Sequence, residues 1–202
     1  MNFHLRVPLN TNPEQAAKLT ALQVAFAQVC NALAPIVQRT KVWNRVALHH
    51  MAYKPLREQF PAMGSQMVCN AIYSVSRHSR LLFQHPLSPF HLSKLGLRPL
   101  PLLQFLNTSP VYFDRHTLSL KDEQLSMYTL DGRMRFKLDL KPADEANFHE
   151  KKLREIVLSR AGNGFQLSFL FSDENDEAAS ANENNTGEMP EYMMVEEMNE
   201  PA

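Results

Sequence analysis

The chain has 202 residues, 44% of them hydrophobic, with 21 basic and 21 acidic side chains and two cysteines. That length gives room for one domain or two small intimate ones, and enough chain to bury a core without disulfides. The formal charge of zero conceals a break: residues 1–172 hold all 21 Lys and Arg and 11 acids, about +10, whereas 173–202 hold ten acids and no base.

Cys30 and Cys69, both in Val-Cys-Asn contexts, read as reduced core thiols rather than a disulfide framework. The opening Met-Asn-Phe-His-Leu-Arg-Val-Pro has neither a basic n-region nor an apolar h-region. No apolar run reads as approaching the roughly 20 residues of a membrane span. A cytoplasmic protein with no membrane partner is expected.

In chain order, Phe3 to Val7 alternate as a half-buried strand. Asn12-Pro13-Glu14-Gln15 is a helix start, with Asn as cap, Pro in the first turn and an acid at the positive end. Apolar residues then recur at three- and four-residue steps from Leu19 to Leu33, and the helix should end near Pro35. A second helical stretch runs from Asn44 to Glu58, and Pro55 should kink or break it. A third is expected from Ser65 to Arg80. Residues 81–110 carry five prolines and read as an irregular crossing segment.

The following block is β. Val111–Phe113 and Thr117–Leu120 read as short strands. Gln124–Leu130 and Arg133–Leu140 read as a hairpin turning at Asp131-Gly132. Along the returning strand Arg133, Arg135 and Lys137 alternate with Met134, Phe136 and Leu138, so one face is basic and the other apolar. Ala143–Lys152 is a short polar helix. A second hairpin links Ile156–Ser159 to Phe165–Phe171 through Ala-Gly-Asn-Gly. From Asp173 onward the composition cannot bury enough apolar surface to offset ordering entropy, so 173–202 should be disordered. Tyr192-Met193-Met194-Val195 is its one docking segment. Such a tail would also compete with nucleic acid for the basic body, so its deletion should tighten binding.

Three stretches carry a family resemblance. Leu-Asn-Thr-Asn-Pro-Glu-Gln-Ala-Ala-Lys-Leu at 9–19, with Phe26–Asn31, resembles an opening strand and helix. Leu48–Tyr53 through Arg57-Glu58, then Gly64–Met67 through Ala71, resembles two further helices. Val111–Asp114, Thr117–Leu120, Leu125-Ser126 through Thr129-Leu130, and Gly132-Arg133 resemble barrel strands. Together they resemble the N-terminal half of transposon-encoded, RNA-guided nucleases of the TnpB type, relatives of the type V CRISPR effectors. The resemblance implies a wedge-like antiparallel β-barrel (about 1–8 and 110–172). Into it are inserted a helical recognition lobe (about 13–82) and a Pro-rich linker (83–109). This half grips guide RNA and the RNA–DNA duplex. The family's RuvC-like catalytic half is not found in the sequence.

Metal-assisted cleavage needs acids held a few ångströms apart on a rigid frame. The acidic tail offers no such frame, so no catalytic residue is assigned. His49-His50 are adjacent, diverge by roughly 100° on a helix, and lack the spacing of a metal pair; no metal or cofactor is expected. The basic residues are Lys41, Arg45, Arg57, Arg77, Arg80, Lys94, Arg98, Arg133, Arg135, Lys137, Lys151, Lys152 and Arg154. They point to phosphate-backbone binding with salt-dependent affinity. Trp43, Tyr53 and Tyr73 are candidates for stacking on bases.

The sequence therefore predicts an α+β protein that binds structured RNA, and target DNA with it, and is not itself an enzyme. Two other readings stand beside it. One is a guide-binding subunit whose RuvC-like half is a separate chain. The other is a transposon-derived DNA-binding or protein-interaction regulator.

Overall fold

A computed structural model describes residues 2–173 and 188–199. Helix and antiparallel sheet are both present, so the fold is α+β. In chain order the elements are β1 (Asn2–Leu9), α1 (Pro13–Thr40), α2 (Arg45–Gln59), α3 (Ser65–Gln84) and α4 (Leu92–Leu95). They continue as β2 (Leu102–Phe105), β3 (Val111–Phe113), β4 (Leu118–Lys121), β5 (Gln124–Thr129) and β6 (Gly132–Lys137). Last come α5 (Pro142–Glu150), β7 (Lys152–Ala161), β8 (Gly164–Ser172) and β9 (Met193–Glu196). The described chain divides into two compact units. One takes the residues up to Gln23 and those from Pro110 through β8; the other takes Val24–Ser109 and residues 188–199.

The first unit is built on a four-stranded antiparallel sheet in the order β1-β8-β7-β3. Its register aligns Leu5, Phe169, Ile156 and Phe113 in one row, and Val7, Leu167, Leu158 and Val111 in the next. All eight are buried, which is what a period-two apolar pattern requires of a one-sided sheet. Phe148 of α5 meets Phe169 and Phe171 edge-on, each at 5.0 Å, a favoured aromatic geometry. At the start of α1, Asn12 Oδ1 accepts from the Gln15 N–H (2.8 Å) and Gln15 Oε1 accepts from the Asn12 N–H (3.0 Å). This is a reciprocal cap. Arg160 of β7 ties that end of the helix down, donating to Gln23 Oε1 and Thr20 Oγ1.

The same unit holds a separate three-stranded sheet, β4-β5-β6. The chain leaves β3 through a tight turn in which the Thr117 and Leu118 N–H groups both donate to the Asp114 carbonyl. That turn separates the two sheets. No closed barrel forms among the described residues: β1 remains an edge of one sheet and β6 an edge of the other. Pro8, which has no N–H to give a central ladder, is accommodated in β1 for that reason.

In the second unit, α1 and α2 both pass through their prolines, Pro35 and Pro55, without ending. Packing overrides the expected stop at Pro35 and the expected break at Pro55. Leu33, Ala34 and Val37 surround Pro35 and are buried, as are Leu48, Ala52 and Leu56 on either side of Pro55. Burial of such stripes outweighs the lost hydrogen bond. α1 stops instead at Lys41, whose φ of 57° closes a left-handed cap with its N–H on the Val37 carbonyl. At 28 residues α1 is long and apolar enough to cross a membrane by length and composition, contrary to the sequence reading. Half of its most apolar window is buried in the fold.

The crossing segment is not wholly irregular. It contains α4 and β2, and β2 pairs antiparallel with β9. The expectation of a disordered tail thus fails for residues 193–196. Residues 174–187 and 200–202 lie outside the described residues. Met193 is 2% exposed, and the Leu106 N–H donates to the Tyr192 carbonyl. A short acidic segment is ordered here by one buried methionine, by the Tyr192 hydroxyl on His78 and by the edge of β2.

Candidate nucleic-acid interface

Each strand of the β4-β5-β6 sheet alternates strictly. Leu118, Leu125, Met127, Met134 and Phe136 are buried, while Ser119, Lys121, Gln124, Arg133, Arg135 and Lys137 are exposed. The register puts Ser119, Ser126 and Arg135 in one row of the outer face. Lys121, Gln124 and Lys137 form the next, and Tyr128 lies opposite Arg133. Two tight turns set this register. Asp122 and Glu123 have φ of 51° and 61°, the left-handed pair of a two-residue hairpin, and Gly132 takes φ 107° at the other.

The outer face carries four cations, one aromatic ring and no carboxylate within the strands. Arg133, Arg135 and Lys137 repeat every ~7 Å along β6. Arg133 is held flat on the sheet: Nε donates to Ser126 Oγ (2.7 Å), Nη2 to the Ser126 carbonyl (3.1 Å) and Nη1 to the His116 carbonyl (3.3 Å). Among the described residues, Lys121, Arg135 and Lys137 have no ion-pair partner. The acids nearest in sequence, Asp122, Glu123, Asp131 and Asp139, sit in the turns and beyond the strand end. Such a surface has the charge that backbone phosphates pair with, and Tyr128 lies half-buried on the same face.

Of the residues predicted from sequence, the first unit therefore brings Arg133, Arg135 and Lys137 together. It also holds Lys151, Lys152 and Arg154 at the start of β7. Lys151 lies over the Phe3 ring at 5.0 Å, and Arg154 Nε donates to Ser172 Oγ at 2.5 Å. Lys152 is exposed.

The rest belong to the second unit. Lys41 and Arg45 flank Trp43 between α1 and α2. Trp43 packs on Phe83 (5.2 Å), and Arg45 lies over Tyr73 (5.9 Å). Tyr53 stacks on His49 at 4.6 Å. These rings are packed against neighbours rather than presented as a row. Arg57 donates to the Met63 carbonyl, Lys94 to that of Ser88, and Arg98 to those of Leu95 and Lys94. Those three cations stitch loops and helix ends. Arg77 is half-buried on α3 and Arg80 exposed at the next turn.

Ser119, Lys121, Gln124, Ser126 and Tyr128 are the members of the face that the sequence reading missed. The signal was present in the alternation of Gln124, Ser126 and Tyr128 with Leu125, Met127 and Thr129. Only the register shows that they share a face with the basic strand.

Two further titratable groups are built into the core. Cys30 is buried and free, its Sγ–H donating to the Ala71 carbonyl, and burial pushes its thiol up to about 12. Such a thiol is inert. His78 is buried on α3. Its Nδ1 lies 2.7 Å from the Ser74 carbonyl, which only accepts, so Nδ1 carries the hydrogen and Nε2 accepts from the Tyr192 hydroxyl at 2.7 Å. Burial lowers His78 to about 4, the Ser74 carbonyl opposing and the Arg77 charge assisting. Among the described residues no three His, Cys, Asp or Glu side chains are grouped to hold a metal ion. No protein-family model matches the chain, and no curated protein matches it significantly.

Proposed function

We propose that this chain is a cytoplasmic nucleic-acid-binding module, related to the guide-gripping half of TnpB-type nucleases. It holds structured RNA, or the RNA–DNA duplex such an RNA forms, and does so without cleaving it. The observation that carries the reading is the outer face of β4-β5-β6: Lys121, Arg133, Arg135 and Lys137 around Tyr128, with no carboxylate among them. A flat cationic sheet face recognises the spacing of backbone phosphates more than the order of bases. Binding should therefore be strong at low salt and weaken steeply as salt rises.

The test is purification of the full chain at low salt, with sequencing of whatever nucleic acid accompanies it. A fluorescent hairpin RNA is then titrated over a salt series. Co-purified RNA and a log–log salt slope of about −2 to −4 are expected, matching three or four phosphate contacts. Recovery of no nucleic acid, together with no binding of the hairpin at low salt, would remove the reading.

A further inference from the structure

A cleft of about 420 Å³ opens at one end of the basic strand, lined by Val7–Asn10, Gln15 and Arg135–Asp139. It lies between two strand edges of the first unit that take no further partner among the described residues, β1 in one sheet and β6 in the other. Its chemistry is mixed in a particular way. Val7, Leu9, Phe136 and Leu138 are buried apolar residues, and Arg135 and Lys137 are exposed cations. Asn10 and Asp139 are also exposed. Gln15 uses its Oε1 on the Asn12 N–H, which leaves its amide N–H groups to donate elsewhere.

Arg135 and Lys137 belong both to this cleft and to the sheet face described above. A strand lying on that face has its backbone at the mouth of the cleft. The volume is of the size that takes a small molecule and is far too small for a duplex. The four apolar residues turn their side chains into the core, so the lining a ligand meets is mainly polar: the two cations suit a phosphate, and Asp139 supplies an acceptor-only carboxylate.

We propose that the cleft receives one unpaired nucleotide of the bound RNA, with guanine preferred. A carboxylate accepts from hydrogen donors on a base edge, and guanine alone presents adjacent imino and amino donors to it. Uracil, whose single imino donor is flanked by two carbonyls, is disfavoured. This inference rests on the RNA-binding reading, and it adds a subsite with base preference to a surface that otherwise reads backbone alone.

The experiment compares a blunt hairpin RNA with the same hairpin bearing one overhanging G or U, using the full chain. The G overhang should bind roughly tenfold tighter than the blunt form, as one bidentate base contact allows. Asp139→Asn should abolish the difference between G and U. Asn10→Trp, at an exposed lining position, should fill the cleft and remove the overhang increment while blunt-hairpin binding is kept, with folding checked by circular dichroism.

Equal affinity of the wild-type chain for all three hairpins would overturn the subsite and leave the RNA-binding reading standing. Failure to bind any of them would overturn both. Tighter binding of guanosine monophosphate alone than of the G-overhang hairpin would make this a free-nucleotide site and also overturn the assignment.

Discussion

The two small sheets of this protein are assembled on opposite terms. β4-β5-β6 is made from one contiguous stretch, Leu118–Lys137, folded back on itself by two tight turns. β2-β9 joins positions 92 residues apart in the chain, as in the contact of Gln104 Nε2 with Glu196 Oε2 at 2.9 Å. The local sheet has little loop-closure entropy to overcome, so it tolerates four cations on its outer face. The distant sheet must be held by anchors, namely Met193 in the core and the Tyr192 hydroxyl on His78. Charge placement follows from this. Where local backbone geometry secures the strands, outward cations such as Lys121, Arg135 and Lys137 keep no ion-pair partner among the described residues; where it does not, side chains are spent on attachment.

The largest test of this contrast is Met193→Ala. Removing a core methionine leaves a cavity worth about 2–5 kcal/mol. Denaturant unfolding followed by the fluorescence of Trp43, the sole tryptophan, which packs on Phe83 in the same unit, should show that loss. An unchanged midpoint would mean that β9 is not anchored. The same anchor changes what deleting 173–202 does: the truncation must destabilise the helical unit, whatever it does to nucleic-acid binding.

Acid comes next. Folded His78 stays neutral down to about pH 4, whereas the unfolded residue takes up a proton near 6.5. The folded pKa is the depressed one, so the stability His78 contributes is complete above pH 6.5 and is lost as pH falls towards 4. The loss approaches about 3 kcal/mol at the bottom of that window. A His78→Gln variant should lose that slope in a pH series of unfolding midpoints; a slope identical to wild type would show that another group governs the acid limb.

Tyr192→Phe is a finer cut at the same contact. It leaves the buried His78 Nε2 without its hydroxyl donor and should cost about 1–3 kcal/mol, read from the same Trp43 signal. No loss would mean that the ring, not the hydroxyl, holds the strand.

On the local sheet the expected effect is on binding rather than stability. Arg135→Gln with Lys137→Gln should lower hairpin-RNA affinity about tenfold at low salt and flatten the salt slope by about two. The unfolding free energy should change by less than ~0.5 kcal/mol. An affinity loss with an unchanged slope would mean that these cations act through folding and not through phosphates.

The regions readable from sequence were those whose signals are local. Alternation in Arg133–Leu138 predicted both faces of β6, and the Asp131-Gly132 turn predicted its hairpin, because strand period and left-handed turn residues act over a few positions. Asn12 and Gln15 predicted the start of α1 for the same reason. Pro35 and Pro55 misled because a proline's penalty is local while the compensation, burial of Leu33, Val37, Leu48 and Leu56, comes from residues distant in the chain. The barrel expectation failed where the Asp114–Thr117 turn parted β3 from β4, leaving β1 and β6 as separate edges. β9 was hidden because acidic composition argues for disorder and says nothing about an open edge at Leu102–Phe105. Of the candidate interface, the cations of β6 were legible, whereas Lys121 and Tyr128 were not grouped with them until the register aligned three strands.

By itself, then, the sequence determined the α+β content, the basic body, the two-sided character of β6 and the starts of α1, α2 and α3. Each of these depends on propensity, periodicity or charge within a few residues. Tertiary structure alone decided that the helices continue through proline, that an acidic segment becomes a strand on β2, that His78 is buried neutral against Tyr192, and that a cleft opens between β1 and β6. All four depend on free energy from contacts between residues far apart in the chain, which no local pattern records.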